Sequence, residues 1–301
     1  MIEQEFHKRF ARTVVVTISP HPDDSVLGAG GLIHRLTDTV AWDAQSGVSR
    51  EDYPHVYTIV MTPGARGVDD EYLRRYALNR IRTQDSELAD YLMLRLANGE
   101  QDADREKQLN TVREELRRQE STSEGRILRV KKVHFADLGG IYNEHSITNE
   151  DRESFKAILH EITSAHPDWK CVLLVPHRDD KHPVHMLSTT LTLETIESDY
   201  GWDSTEVWQY ESPWITMTPN QVDIVVMLDG IGMATKSEAM AVHRSQEYRT
   251  KYSDVARYSA QMKAETLPEL LGGFGSGEMG WGYVEAFQTL RPVCLLKLPE
   301  N

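Results

Sequence analysis

Cysteine is scarce: Cys171 and Cys294 are the only two in 301 residues, so neither a disulfide framework nor a thiolate zinc-finger spacing is available. Such usage fits a reducing compartment, and the cytoplasm is the expected location. No apolar run approaches the roughly 20 residues needed to cross a bilayer, and Met1 to Arg12 is too polar for a signal peptide; no membrane partner is expected. Positive charge is also short. With 33 Lys and Arg against 47 Asp and Glu, the formal charge is −14, which argues against nucleic acid, whose phosphates call for clustered cations. No internal repeat is visible. Gly28-Ala29-Gly30-Gly31 lacks the spacing of a dinucleotide fingerprint and follows carboxylates that would sit where a pyrophosphate must, which excludes a nicotinamide site. What remains is a chain with 40% hydrophobic residues, enough for a sizeable core.

Short apolar strands alternate with helical stretches. Strands are expected at Thr13 to Ser19, Val56 to Met61, Val133 to Phe135, Cys171 to Val175, Glu206 to Tyr210 and Val222 to Leu228. Helices are expected near Ser25 to Leu36, Glu71 to Leu94, Asp151 to Ala165 and Val184 to Glu197, with a last one through Lys236 and His243. This rhythm predicts an α/β fold: a Rossmann-like three-layer αβα domain over residues 1–301 with a mainly parallel central sheet. Between about 98 and 125 the chain turns strongly charged and reads as a surface insertion, an exposed helix and loop, or else as a lid or oligomer contact. The glycine-rich stretch 272–282, with Phe274 and Trp281, is either a plain loop or an aromatic wall of a substrate cleft.

Two clusters carry chemistry. Thr13 to Ser19 is an apolar, β-branched run of the kind buried on both faces of a parallel sheet, and Pro20-His21-Pro22-Asp23-Asp24 follows it. In open α/β sheets, ligands gather outside the carboxyl ends of strands. Asp23 and Asp24 alone would equally serve as caps for the next helix. The second cluster, His177 to His185, follows another buried run, Cys171 to Val175. His182 and His185 are three apart, so a helix opened by Pro183 would turn both imidazoles toward one side of its first turn. Imidazole and carboxylate are the usual non-thiolate zinc ligands; His21, Asp24 and His185 would supply three.

These residues resemble the zinc-dependent N-acetylglucosaminyl deacetylases, the PIG-L or LmbE-like family, over most of the chain. His21-Pro22-Asp23-Asp24 matches the family's first motif, and Gly28 to Gly31 matches the small residues after it. Thr62-Pro63-Gly64-Ala65-Arg66-Gly67 resembles the Thr-x-Gly-x-x-Gly loop. Arg82-Thr83-Gln84-Asp85 resembles the Arg-x-x-Glu of the following helix, whose Arg faces the substrate in this family. His182-Pro183-Val184-His185 is similar to the His-Pro-Asp-His motif, with Val184 in place of Asp. Lys236, His243-Arg244-Ser245-Gln246 and Tyr283-Val284-Glu285-Ala286-Phe287 resemble its closing elements.

The resemblance implies hydrolysis of an acetamide on a small amino-sugar substrate, with Zn2+ on His21, Asp24 and His185, and Asp23 as general base. It implies His182 as oxyanion donor, and Arg82, Gly64 and His243 as substrate-binding residues. Members of this family often assemble, so a homo-oligomer is compatible. Val184 puts the protonation of His182 in question, with Asp179 or Asp180 as substitutes for the missing carboxylate. Two other readings share these residues: an amidase that cuts a different acyl group from a sugar-like or thiol conjugate, and a carbohydrate-binding protein that has lost turnover.

Overall fold

The structure is a computed structural model, which describes residues 3–203, 205–248, 250–266 and 282–290. Five strands run parallel: β1 (Thr13–Ser19), β2 (His55–Val60), β3 (Lys132–Phe135), β4 (Lys170–Pro176) and β5 (Thr205–Tyr210). Beyond them lie β6 (Ile224–Leu228) and β7 (Tyr283–Leu290), and β7 is antiparallel to both of its neighbours. The sheet order is β3-β2-β1-β4-β5-β7-β6, and helices cover both faces.

Every residue of β1 is buried. Val15 points into one apolar layer with Ala29, Ile33, Leu174 and Trp208. Val14, Val16 and Ile18 point into the other with Leu173, Val175 and Leu191. This two-sided burial explains the unbroken apolar run, which contributes about 1.5–3 kcal/mol for each fully buried large aliphatic side chain. The chain goes from β1 outward to β2 and β3, then returns to place β4 on the other side of β1. That reversal puts the topological switch point between β1 and β4, with the crevice outside their carboxyl ends. Both histidine-carboxylate clusters follow those two strands.

Two expectations change. The helix expected from Glu71 to Leu94 is broken at Asp85, whose backbone is extended at φ −151° and ψ 102° and whose side chain caps the next helix at the Leu88 amide. The charged stretch after Asn98 forms a helix, Ala103–Ile127, but not an exposed one: Arg113, Arg117, Glu120, Ser121 and Glu124 are all buried. Of the glycine-rich stretch 272–282, all but Gly282 lies outside the described residues. No helix among the described residues is long and apolar enough to cross a membrane.

The helix Asp24–Thr37, which carries the first cluster, is fixed to the sheet by a buried ion pair. Lys236 Nζ lies 2.6 Å from Glu285 Oε1 and donates to the carbonyl of Leu27 at 2.8 Å. Glu285 in turn accepts the amides of Gly31 and Leu32, at 2.8 and 2.7 Å. A side chain at position 31 would have no room, since a Cβ there would stand 2.3 Å from Leu228 Cδ1. Removing one member of a buried, hydrogen-bonded ion pair costs about 3–5 kcal/mol. Glu285→Ala is therefore expected to lower unfolding stability by that order in a urea titration; a loss under about 1 kcal/mol would contradict this account.

Candidate metal centre and catalytic pocket

The turn after β1 is built by local hydrogen bonds. Ser19 Oγ donates to the carbonyl of His21 at 2.6 Å and accepts the amide of Ser25 at 3.0 Å. Asp24 Oδ2 accepts the amide of His21 at 2.8 Å and lies 3.1 Å from its Nδ1. Asp23 stands at the helix N-cap, yet its side chain makes no cap bond; it accepts from Arg117 at 2.7 Å instead. The cap reading fails for Asp23 for that reason.

After β4, Pro183 opens the helix Pro183–Thr195 and His182 occupies its N-cap, as the spacing predicts. His185 is fully enclosed: its Nε2 lies 3.2 Å from Asp24 Oδ2 and 3.3 Å from His21 Nδ1, and its Nδ1 lies 2.9 Å from Asp180 Oδ2. Asp180 also accepts the amide of His182 at 2.8 Å and the hydroxyl of Ser212. Val184, in place of the family's Asp, packs into the apolar layer, so Asp180 is the carboxylate that orients this motif. It serves the ring of His185 and the backbone of His182. The Nδ1 of His182 is buried without a hydrogen-bond partner.

His21, Asp23, Asp24, His182 and His185 share a cavity of about 150 Å³, together with Gly64, Arg117, Trp214 and Gln246. Two donor sets there are able to hold a metal. The imidazole nitrogens of His21, His182 and His185 lie within 4.8 Å of one another. The set of His21 Nδ1, Asp24 Oδ2 and His185 Nε2 is tighter, with edges of 3.1, 3.2 and 3.3 Å, and it combines a charge with two neutral donors.

The electrostatics suit a cation. Burial alone would push the Asp24 carboxyl up, but His185 and His21 hold it well below its ordinary range. Burial works to lower His185, yet Asp24 and Asp180 carry it up to about 10. His182 is pushed down to about 4 by burial and by the rings of His21 and His185, which outweigh the pull of Asp24 and Asp180.

Gly64 lines the pocket with φ +65°, and a Cβ there would stand 2.8 Å from Pro22 Cδ, so both backbone and space call for glycine. Arg82 and His243 do not line it. Arg82 is half-exposed, with its guanidinium 3.8 Å from Asp90. His243 is fully buried behind the pocket, with Nε2 2.7 Å from Glu124. The residue the sequence reading missed is Arg117. It is 1% exposed and bridges Asp23 and Glu120, at 2.7 and 3.3 Å. Burial would weaken its charge, but those two carboxylates raise its pKa. Glu120 also accepts the amide and hydroxyl of Ser245, both at 2.7 Å. The signal was present: Arg117-Arg118-Gln119-Glu120 carries the Arg-x-x-Glu spacing with Glu intact.

A family model described as PIG-L, GlcNAc-PI de-N-acetylase, matches residues 16–196, more than half of the chain. The chain belongs to the PIG-L family. This PIG-L protein is 24% identical over 248 residues to a glucosamine-6-phosphate deaminase-like protein of Bacteroides thetaiotaomicron, covering 77% of this chain and 35% of the relative. It thus spans about a third of that curated relative. Its fold is similar to that of the N,N'-diacetylchitobiose deacetylase of Pyrococcus horikoshii, with TM-score 0.59, 21% identity and coverage of 99% and 91% of the two chains. It is equally similar to GalB, the 4-carboxy-2-hydroxymuconate hydratase of Pseudomonas putida KT2440, at TM-score 0.59, 16% identity and coverage of 96% and 99%. One fold thus serves a deacetylase and a hydratase, so the chemistry of this PIG-L protein has to be argued from its site.

Two expectations follow from the geometry. Arg117→Ala strands two buried carboxylates and is expected to abolish activity and destabilise the chain by about 3–5 kcal/mol, whereas Arg82→Ala leaves both activity and melting temperature nearly unchanged. Comparable losses in the two variants would refute the exchange of roles. Asp24 and Asp180 hold the pKa of His185 up to about 10, so a divalent ion that takes its ring nitrogen at pH 7 is expected to displace a proton. Calorimetry in two buffers of different ionisation enthalpy should read about one proton released per ion, and zero release would show that His185 is no ligand.

Proposed function

We propose that the protein is a zinc-dependent hydrolase that removes the N-acetyl group from an N-acetylglucosamine-containing small molecule or oligosaccharide and releases acetate. The observation that carries this reading is the triangle of His21 Nδ1, Asp24 Oδ2 and His185 Nε2, with edges of 3.1–3.3 Å. A tetrahedral ion with bonds of about 2.0–2.1 Å has ligands about 3.3–3.4 Å apart, so the spacing of the three atoms suits such an ion. A zinc ion held there supplies Lewis acidity and a water of lowered pKa.

The chain's own residues supply the rest. An amide is a poor electrophile and its amine a poor leaving group, so a proton must leave the attacking water and arrive at the nitrogen. Asp23 faces the same cavity as the ligands, and Arg117 occupies its Oδ1. The other oxygen is left to take the proton of the water and pass it to the departing amine. The imidazole of His182, kept neutral, donates its N–H to the oxygen on which negative charge develops. Gly64 brings its backbone against the pocket where a side chain would block it, and Trp214 offers the open face of an aromatic ring beside His182, with centroids 6.2 Å apart.

Acetate release from N-acetylglucosamine substrates tests the reading, with longer acyl amides as the comparison. Asp23→Ala is expected to keep its zinc and lose about 10²–10⁴ in kcat, while His185→Ala loses the zinc itself. Metal analysis and acetate assays on the two variants check this. Near-normal kcat in Asp23→Ala would remove the general base, and turnover of long-chain amides alone would replace the deacetylase with an amidase.

A further inference from the structure

At the amino end of β3, away from the crevice at the carboxyl ends of the strands, this acidic chain concentrates positive charge. No acidic residue falls between Glu124 and Asp137, and Arg126, Arg129, Lys131 and Lys132 crowd that interval. All four line a cavity of about 440 Å³ between the end of the helix Ala103–Ile127 and the start of β3, and no carboxylate lines it. Lys132 reaches Glu161 at 2.8 Å in an exposed pair. Arg126, Arg129 and Lys131 are exposed and have no ion-pair partner among the described residues.

The backbone points the same way. The helix closes with the amide of Val130 on the carbonyl of Gly125 at 2.9 Å and the amide of Arg129 on that of Arg126 at 3.2 Å. In this ending the first residue outside the helix is left-handed and ordinarily glycine. Here it is Arg129, at φ +54°, so a guanidinium is kept where a Cβ is disfavoured. Departures from local preference of this kind are expected where a side chain has a task. A cation in the last turn answers the negative end of the helix dipole, and a lysine on an edge strand such as β3 discourages further pairing. Neither need calls for four cations around one hollow.

Guanidinium and ammonium groups that converge on a cavity match phosphate oxygens, which arginine takes two at a time. The ligand has to be compact. Outside this patch the chain is more acidic than its total of −14, so a long polyanion or an anionic bilayer would meet repulsion on either side. A small anion feels the four near cations, and salt screens it from charges beyond about 8–10 Å. We propose that this cavity binds a small molecule carrying two or more linked phosphates, at a site separate from the catalytic pocket. The assignment does not rest on the deacetylase reading.

The probe is inorganic pyrophosphate, titrated calorimetrically into the full, zinc-loaded chain, with orthophosphate as the comparison. One site per chain is expected, with pyrophosphate about tenfold or more tighter than orthophosphate and weakened about tenfold between about 0.02 M and about 0.2 M salt. Arg129→Gly gives the helix its ordinary ending, so it should keep or raise the melting temperature while weakening pyrophosphate about tenfold. Lys131→Gln should show a similar loss, whereas Lys107→Gln, at an exposed position earlier on the same helix, should leave binding unchanged. Full-strength binding by Arg129→Gly would place pyrophosphate elsewhere, the catalytic metal included, and overturn the proposal. No binding at millimolar concentration, or equal affinity for the two phosphates, would do the same. Retention on vesicles of phosphatidylcholine and phosphatidylserine, or on duplex DNA, that Arg129→Gly abolishes, with no pyrophosphate bound, would overturn it in favour of an extended polyanion.

Discussion

Five carboxylates, Asp23, Asp24, Glu120, Glu124 and Asp180, are buried around one crevice, and the site depends on how their charge is met. An ionised carboxylate taken out of water without a partner costs several kcal/mol. Arg117 lies between Asp23 and Glu120, and His185 lies between Asp24 and Asp180. Glu124 is held up by burial and pulled the other way by His243 and Ser25. Asp24 and Asp180 together raise the pKa of His185 against its burial. An ion held by His21, Asp24 and His185 would bring positive charge to the same carboxylates, so their burial suits a cation there.

The helix Ala103–Ile127 is the strut of this arrangement. Its Arg117 reaches forward to the pocket, while Glu120 and Glu124 reach across to Ser245 and His243. The closing His243-Arg244-Ser245-Gln246 element therefore divides its work. His243 and Ser245 anchor the segment to the helix, and only Gln246 reaches the cavity, held by a bond to the carbonyl of Gly67 at 3.1 Å. A motif residue next in chain to a pocket residue need not touch what the pocket holds.

The parts of the site that were legible in the sequence are those where chemistry and strand are contiguous. His21 to Asp24 and His182 to His185 each follow an apolar run that marks a strand with both faces buried, and Pro183 announces the helix start. Arg117 was legible only as an Arg-x-x-Glu spacing, and its burial was hidden for a physical reason. Helices are recognised by an apolar stripe, but Arg113, Arg117, Glu120 and Glu124 recur at helical spacing and bury charge against charge. By hydropathy such a helix is indistinguishable from a solvated one. Asp23 and Arg117 are 94 residues apart in sequence, and only the fold pairs them. The helix break at Asp85 was hidden as well, because its cap lies inside a stretch of good helix formers.

The loop after β5 ties Trp214 to the histidine cluster. Ser212 donates its hydroxyl to Asp180, on the same oxygen that lies beside His185 Nδ1, and accepts the amide of Trp214 at 3.1 Å. One hydroxyl therefore meets both the carboxylate beside His185 and the backbone that presents Pro213 and Trp214. Hydrogen-bonded outer partners of this kind fix ring orientation and raise ligand basicity. Val184 is tolerable for the same reason: with Asp180 tied from both sides, position 184 is free to serve the apolar layer.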